Sequence, residues 1–332
     1  IGKERPRLDG LAKATGTAEY GIDVEIPNLY RAALLRCPVI GGKVKQNNST
    51  AVEKMPGVKR VITIFNGVAV VADSYWQAKK ALELLQVEWD LPALASQSSE
   101  SIQREFIDAL ENNPGEEAAK DGEGMDALAT ASSVIRADYS APYLAHAPME
   151  PLNCTVRFEN GGCDIWVGTQ MPDMTQAVAA EYAGMDKEQI TVHTTFLGGG
   201  FGRRSNQDNV AEAVSIAKAC GLAIQLVWSR EDEIQNGCYR PASMARFQAG
   251  VDNSGNLQAW SVKRVGPNIL PYILDEGANF ILPAFLPDSF VGWARKRGYG
   301  LFDDWVVDPT GVEGLSDDYD VANKEVHHVT VD

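Results

Sequence analysis

Apolar residues over positions 1–90 come in short runs bounded by Pro or Gly. Tyr30–Arg36, Val58–Ile64 and Val68–Ala72 are rich in aliphatic and β-branched side chains and predict strands. From Tyr75 the period changes. Trp76, Ala78, Ala81, Leu82 and Leu85 recur at helical spacing behind Asp73 and Ser74 as N-cap candidates, and an extended Val87–Asp90 follows. Residues 1–90 therefore predict a small α/β module. Between Leu91 and Ala131 the composition turns to Ser, Gln, Glu, Asn and Gly, with breakers at Asn113–Glu117 and Asp121–Gly124, so 91–131 predicts a linker carrying one short amphipathic helix. Extended patterning returns over Ser133–Ser140. Val156–Phe158 and Asp164–Val167 flank Asn160 and Gly161 as a hairpin, and Phe247–Val251 pairs with Leu257–Arg264 over Asp252–Gly255. Asp173–Tyr182 and Asn209–Cys220 predict helices, the second stopped by Gly221. A second domain thus occupies 132–332, and the fold class is α+β. Patterning thins after Gly266, where Pro283–Pro287 and the acidic Asp317–Asp320 alternate.

The chain has 332 residues, 45% of them hydrophobic, enough for two or three packed domains. A net charge of −15 argues against nucleic acid or an anionic membrane surface as partner. No apolar run approaches the roughly 20 residues of a membrane span, and no basic, then apolar, segment opens the chain. No membrane insertion is expected, and nothing here signals export from the cytoplasm. The basic run Trp293–Arg297 predicts a solvated face. Cys37, Cys154, Cys163, Cys220 and Cys238 lack metal-ligand spacing, so an iron–sulfur cluster or zinc site is not expected and no metal ligand is assigned. Cys154 and Cys163 flank a turn, where a disulfide and a pair of small core residues are both open; such cysteines usually pack in the core. His193 lies inside a strand pattern, as hydrogen-bonded structural histidines do.

The densest chemical signal is Gly198-Gly199-Gly200-Phe201-Gly202-Arg203-Arg204, set between the strand-like Ile190–Leu197 and the helix from Asn209. Glycines let a backbone approach a large anionic group and let successive amides converge on it, and the two arginines add fork-shaped donors. A loop that only lets strand and helix pack closely has the same composition. A dinucleotide fingerprint G-x-G-x-x-G fails at Ser205, and a phosphate-binding Gly-Lys-Ser/Thr is missing.

Thirty-one positions before Phe201, Gln170 closes the run Val167–Pro172. A strand ending in Thr169-Gln170, a helix, a strand and Gly-Gly-Gly-Phe-Gly together resemble the molybdenum-binding subunit of the xanthine dehydrogenase and aldehyde oxidoreductase family. Within it, Arg203-Arg204 and His146–Cys154 resemble the isoquinoline 1-oxidoreductase β-subunit type. The resemblance runs from about Arg7 to about Val251.

It implies an a/b hammerhead-like domain over 1–90, with Gly16–Asp23 as its opening strand, and the first part of a molybdopterin-binding domain over 132–332. It also implies a molybdenum-bearing molybdopterin cytosine dinucleotide contacted by Gln170, Gly199, Gly200, Phe201, Gly202 and Arg203. Gln170 would donate to an oxygen on the metal, and Arg203 and Arg204 would assist with phosphate or secure the loop. The implied chemistry is oxidative hydroxylation of an N-heteroaromatic ring or an aldehyde, with water as oxygen donor. Purines are discounted, because purine-oxidising relatives carry a glutamate where Ser205 stands. The implied general base, a glutamate in a Gly-Glu context, has no match, so the catalytic residue is unknown and the chain is expected to be the inactive middle segment of a larger subunit, binding weakly or not at all by itself the cofactor that the complete enzyme holds. Glu150 either lines the approach or, the more ordinary role, is a buried structural carboxylate. Implied partners are a small subunit with two-iron two-sulfur clusters and the remainder of the larger polypeptide, with periplasmic residence in the family. The competing readings are a non-catalytic scaffold or assembly protein and an NAD-binding oxidoreductase.

Overall fold

The computed structural model describes residues 2–269, 309–315 and 320–331. In chain order its strands are β1 Tyr30–Arg36, β2 Lys43–Asn47, β3 Val58–Ile64, β4 Gly67–Ala72, β5 Val87–Asp90, β6 Glu116–Asp121 and β7 Ser133–Ala141. They continue as β8 Asn153–Glu159, β9 Gly162–Val167, β10 Ile190–Thr194, β11 Ile224–Val227, β12 Ser243–Val251, β13 Leu257–Gly266 and β14 Asn323–Thr330. The chain divides into two compact units, Ile1–Ala95 with Ala145–Cys238, and Ser96–Leu144 with Tyr239–Asp332.

The first unit is built on a mixed seven-stranded sheet in the order β10-β9-β8-β11-β1-β4-β3. Every residue of β4 is buried, as its unbroken Gly-Val-Ala-Val-Val-Ala reading requires of a strand covered on both faces. Its alternate residues Val68 and Val70, with Ala33, pack against Ala78 and Ala81 on the buried face of the helix Tyr75–Leu82. The opposite face places Val71 and Leu34 with Ile165, Val214, Leu226 and Trp228, under the helices Pro172–Ala183 and Asp208–Cys220. Ser74 caps the first of these helices, accepting from the Gln77 amide at 3.3 Å.

This sheet corrects the expected boundary between residues 1–90 and the rest. β1 pairs in parallel with β11 through Tyr30–Ile224, Arg31–Gln225 and Ala32–Leu226, so the opening strands and the later α/β region share one core. A strand as apolar as β1 needs a neighbour on each side, and the early module supplies only β4. The expected opening strand at Gly16–Asp23 is instead a single bridge from Tyr20 to Phe196 followed by a 3-10 turn. The Asp23 carboxylate accepts the Tyr20 amide at 3.0 Å, closing that turn locally.

The second unit carries the five-stranded sheet β6-β14-β13-β12-β7. Residues 91–131 are not a linker. Ser99–Asn112 forms a full helix, capped by Ser98, whose buried Phe106 and Leu110 meet Met244, Val265 and Val329, while β6 pairs with β14. The polar outer face of that helix dilutes its apolar positions, which is what made the composition resemble a linker.

Cys154 and Cys163 are free and buried. The hairpin register sets Cys163 opposite Phe158, not Cys154. Burial pushes the Cys163 thiol up to about 12 and that of Cys154 higher still. His193 holds Asp164 at 2.8 Å and stacks on Trp166, a structural role. Pro283–Pro287, Trp293–Arg297 and positions 317–319 of the acidic run lie outside the described residues. Among the described residues no helix is long and apolar enough to cross a membrane.

Candidate functional site

The glycine loop leaves β10 and crosses the end of β9, where Gly168, Thr169 and Gln170 lie. Two glycines are required by close approach. A Cβ on Gly198 would sit 2.4 Å from the Glu150 Cβ, and one on Gly200 would sit 2.6 Å from the Gln170 Oε1. The turn closes through the Arg203 amide donating to the Gly200 carbonyl at 2.9 Å and Ser205 to Gly202 at 3.1 Å. Phe201 occupies the left-handed region at φ 56° and is 70% exposed, so the loop holds a large apolar ring in an unfavourable backbone conformation at its rim.

Gln170 is fixed at both ends. Its backbone amide donates to the Arg204 carbonyl at 3.1 Å, and its Oε1 accepts the Gly202 amide at 3.1 Å. With the carboxamide oxygen engaged, Nε2 is the end left to donate outward. Gln170, Gly200, Phe201 and Gly202 are therefore brought together, and Gly199 adjoins them with its carbonyl turned inward.

Both arginines point inward, so of the two roles expected for them the structure supports securing the loop. Arg203 and Arg204 are 1% and 2% exposed. Arg203 makes a bidentate pair with Asp208 at 2.9 and 2.6 Å, and its guanidinium lies 5.3 Å from the Trp228 ring. Burial opposes its charge, but Asp208 more than offsets this and holds the Arg203 proton more tightly than usual. Arg204 donates to the carbonyls of Gly199 (2.8 Å), Gly168 (3.2 Å) and Glu150 (2.9 Å), and to the Glu150 carboxylate at 2.9 Å. Burial lowers its pKa despite that carboxylate.

Glu150 is the hub of this clamp. Its Oε2 accepts from Gly198 N at 2.8 Å as well as from Arg204, and its Oε1 accepts from Ile22 N at 3.1 Å and Asn153 Nδ2 at 2.9 Å. The preceding residues are held by Arg230, which donates to the carbonyls of Pro148 (2.7 Å) and Met149 (3.0 Å). Four donors on one buried carboxylate give the structural role.

Sequence reading missed a second buried group beneath the loop. Arg36 pairs with Glu212 at 2.7 and 2.5 Å and covers the Trp228 ring at 3.7 Å, while Trp228 Nε1 and Asn66 Nδ2 also donate to Glu212. Trp228 is thus flanked by Arg36 and Arg203. A signal existed: Glu212 stands between Ala211 and Ala213 in the apolar stretch Val210–Val214 of its helix, a place where carboxylates are rarely buried unless paired. Among the described residues no cluster of His, Cys, Asp and Glu could hold a metal ion.

The model of the molybdopterin cofactor-binding domain matches residues 108–268, a span containing Gln170, the whole glycine loop and both arginines. The beta subunit of isoquinoline 1-oxidoreductase from Brevundimonas diminuta is 32% identical over 260 residues, covering 76% of this chain and 33% of that one. The chain belongs to the xanthine dehydrogenase and aldehyde oxidoreductase family. Another relative of this family member is the molybdenum-binding subunit of aldehyde oxidoreductase from Escherichia coli K12, 25% identical over 292 residues, 79% of this chain and 39% of that one. The family member spans about a third of the length of the curated relatives it matches. In fold it is similar to aldehyde oxidoreductase from Desulfovibrio gigas, with TM-score 0.71 and 20% identity over 99% of this chain and 38% of that one. It is also similar to quinoline 2-oxidoreductase from Pseudomonas putida 86, with TM-score 0.64 and 18% identity over 81% and 39%.

Proposed function

We propose that this chain is the part of a molybdenum hydroxylase's large subunit that presents Gln170 and the loop Gly199, Gly200, Phe201 and Gly202 to the molybdenum cofactor, with Arg203 securing that loop from behind. The observation that carries the reading is the clamp behind the loop. Two buried arginines, Glu150 and Asp208 immobilise a glycine turn whose outer edge carries only Phe201, Gly202 and the free amide of Gln170. These residues fit the group: an uncharged donor and a side-chain-free backbone suit a cofactor held through its own sulfurs, with the protein orienting it by hydrogen bonds.

When bound, the cofactor supplies oxidative hydroxylation with water as the oxygen source. Gln170 Nε2 donates a hydrogen bond without adding charge, and Gly200 admits the Gln170 side chain against the loop. Arg203 acts through Asp208 as a positioning residue rather than on phosphate. The finer reading is a cytosine dinucleotide form of the cofactor and an N-heteroaromatic or aldehyde substrate. An a/b hammerhead is proposed for the part of the first unit drawn from residues 1–90, with partial molybdopterin-binding character for 132–332. Partners are the remainder of the large subunit, which contributes the general base, and a small subunit with two two-iron two-sulfur clusters, with periplasmic residence as in the branch it resembles.

Titration of the chain with labelled molybdopterin cytosine dinucleotide and with NAD tests this. The expected result is weak retention of the pterin compound and none of NAD, the former weakened at least tenfold further by Gln170→Ala and by Gly200→Val. NAD binding, or pterin retention indifferent to both substitutions, would refute it, and molybdenum-dependent turnover by the 332-residue chain alone would refute the assignment of the base to another segment.

A further inference from the structure

The sheet of the second unit ends in two edges of opposite character. β6 reads Glu-Glu-Ala-Ala-Lys-Asp, and its pairing with β14 is broken by an irregularity at Val326–His327, both devices that keep an edge from recruiting another strand. β7 reads Ser-Val-Ile-Arg-Ala-Asp-Tyr-Ser-Ala. It has no Pro, Gly or Lys, pairs with β12 over nine consecutive residues, and is exposed at every position but Ala137. One face of β7 adjoins a groove of about 540 Å³ lined by Ile135, Ala137, Tyr139, Phe247, Ala249 and Trp260. Three of these form an edge-to-face row, Tyr139 on Phe247 and Phe247 on Trp260, each at 5.5 Å. Ile135 and Tyr139 are 60% and 63% exposed, and the helices Ser99–Asn112 and Gly124–Thr130 pack on the opposite face, against Met244, Val265 and Gly250, while at the far end of the groove Trp260 Nε1 donates to the Leu315 carbonyl at 3.1 Å beside the short helix Pro309–Val312.

The order of residues in β7 says what such an edge accepts. Two antiparallel copies centred on Ala137 set Ile135 opposite Tyr139 and Arg136 opposite Asp138, each twice, with Val134 opposite Ser140 and Ser133 opposite Ala141. Apolar meets apolar on the groove face, opposite charges meet on the other, and the smallest side chain lies on the axis. A shift of one residue would place Arg136 against Ala137 and lose both matches. Within one chain Arg136 makes only a 3.3 Å contact to Glu111 and a 3.8 Å contact to Asp138, and it is half exposed, so it can reach across. We propose that β7 is a homodimerisation edge, joining two copies of this chain by an isologous antiparallel pairing centred on Ala137. The two five-stranded sheets then become one of ten strands, and the aromatic row is doubled on one face.

Sedimentation velocity of the 332-residue chain over a concentration series, at physiological ionic strength, tests the proposal. A concentration-dependent dimer is expected. Ile135→Lys, an exposed position whose change leaves the far-ultraviolet dichroism unaltered, should weaken it more than tenfold by setting a charge in the groove of each partner. Ala137→Cys should form a covalent dimer under mild oxidation, whereas Val134→Cys, which faces Ser140 and not itself, should not; the wild-type chain under the same oxidant reports on its own five cysteines. A monomer at every concentration would assign the face to another polypeptide and overturn the proposal. So would a dimer indifferent to Ile135→Lys, or equal cross-linking through positions 134 and 137.

Discussion

Replacing Glu150 with Gln removes one charge from the clamp while keeping its shape, and the structure sets the cost. The Arg204 and Glu150 side chains are 1% and 7% exposed, so neither gains solvation when the partner is neutralised. Removing one member of a buried pair costs about 3–5 kcal/mol. Counting hydrogen bonds gives a similar figure. The carboxylate accepts from four donors, two on each oxygen, and a carboxamide turns an NH2 group toward one of those pairs. Two buried donors lose their acceptor at about 1–3 kcal/mol each. For a unit of this size the melting temperature should fall by about 6–20 °C. Glu25→Gln, on a carboxylate 72% exposed in its pair with Arg31, should change stability by no more than about 0.5 kcal/mol. The assay is urea unfolding of both variants with hydrogen exchange at the Gly198 amide, which Glu150 Oε2 protects. A loss below about 1 kcal/mol with unchanged Gly198 protection would refute the clamp.

The remaining predictions separate the loop's scaffold from its working edge. Gly198→Ala should destabilise by about 2 kcal/mol or more in chemical unfolding, because its Cβ meets the Glu150 Cβ and backbone, whereas Gly200→Ala should cost under about 1 kcal/mol, since the flexible Gln170 side chain can swing aside. Gly200→Ala should nevertheless break the bond from Gly202 to Gln170 and lower cofactor retention. In the second unit, hydrogen bonds from Arg246 hold the Asp138 and Glu111 carboxyls below the usual carboxylate range. Their stabilisation is complete above the unfolded values near 4 and is lost as pH falls through the lowered folded values. Unfolding midpoints measured from pH 6 down to pH 2 should therefore drop less steeply for Arg246→Met. Trp228→Phe leaves Glu212 without its Nε1 donor at 3.0 Å and should cost about 1–3 kcal/mol, read from thermal unfolding.

Much of this was legible in local sequence. β4, the hairpin of β8 with β9, the hairpin of β12 with β13 and the helix after the loop each carry their own periodicity and turn residues, and all four form within a few residues of where the pattern put them. Gln170 and the glycine run were legible by type and spacing, and the structure brings them into hydrogen-bond contact. What local sequence could not carry was pairing at a distance. Nothing in Tyr30–Arg36 names Ile224 as its parallel neighbour, and nothing in Arg203-Arg204 tells a phosphate ligand from an internal carboxylate until Asp208 and Glu150 are seen beside them. The helix Ser99–Asn112 was hidden for another reason. Its buried face is only Phe106, Leu110 and their half-buried neighbours, too narrow a stripe to outweigh the polar residues around it.

The parallel pairing of β1 with β11 also has a meaning in time. During synthesis the central strands β1 and β4 emerge long before β11, with about 150 residues and most of another unit's helices between them. At roughly 5–20 residues per second that gap lasts about 8–30 s, during which one long side of β1 lacks its neighbour on the nascent chain. The apolar strand Tyr30–Arg36 is thus a natural client for a ribosome-associated chaperone until Ile224–Val227 arrives to close the sheet.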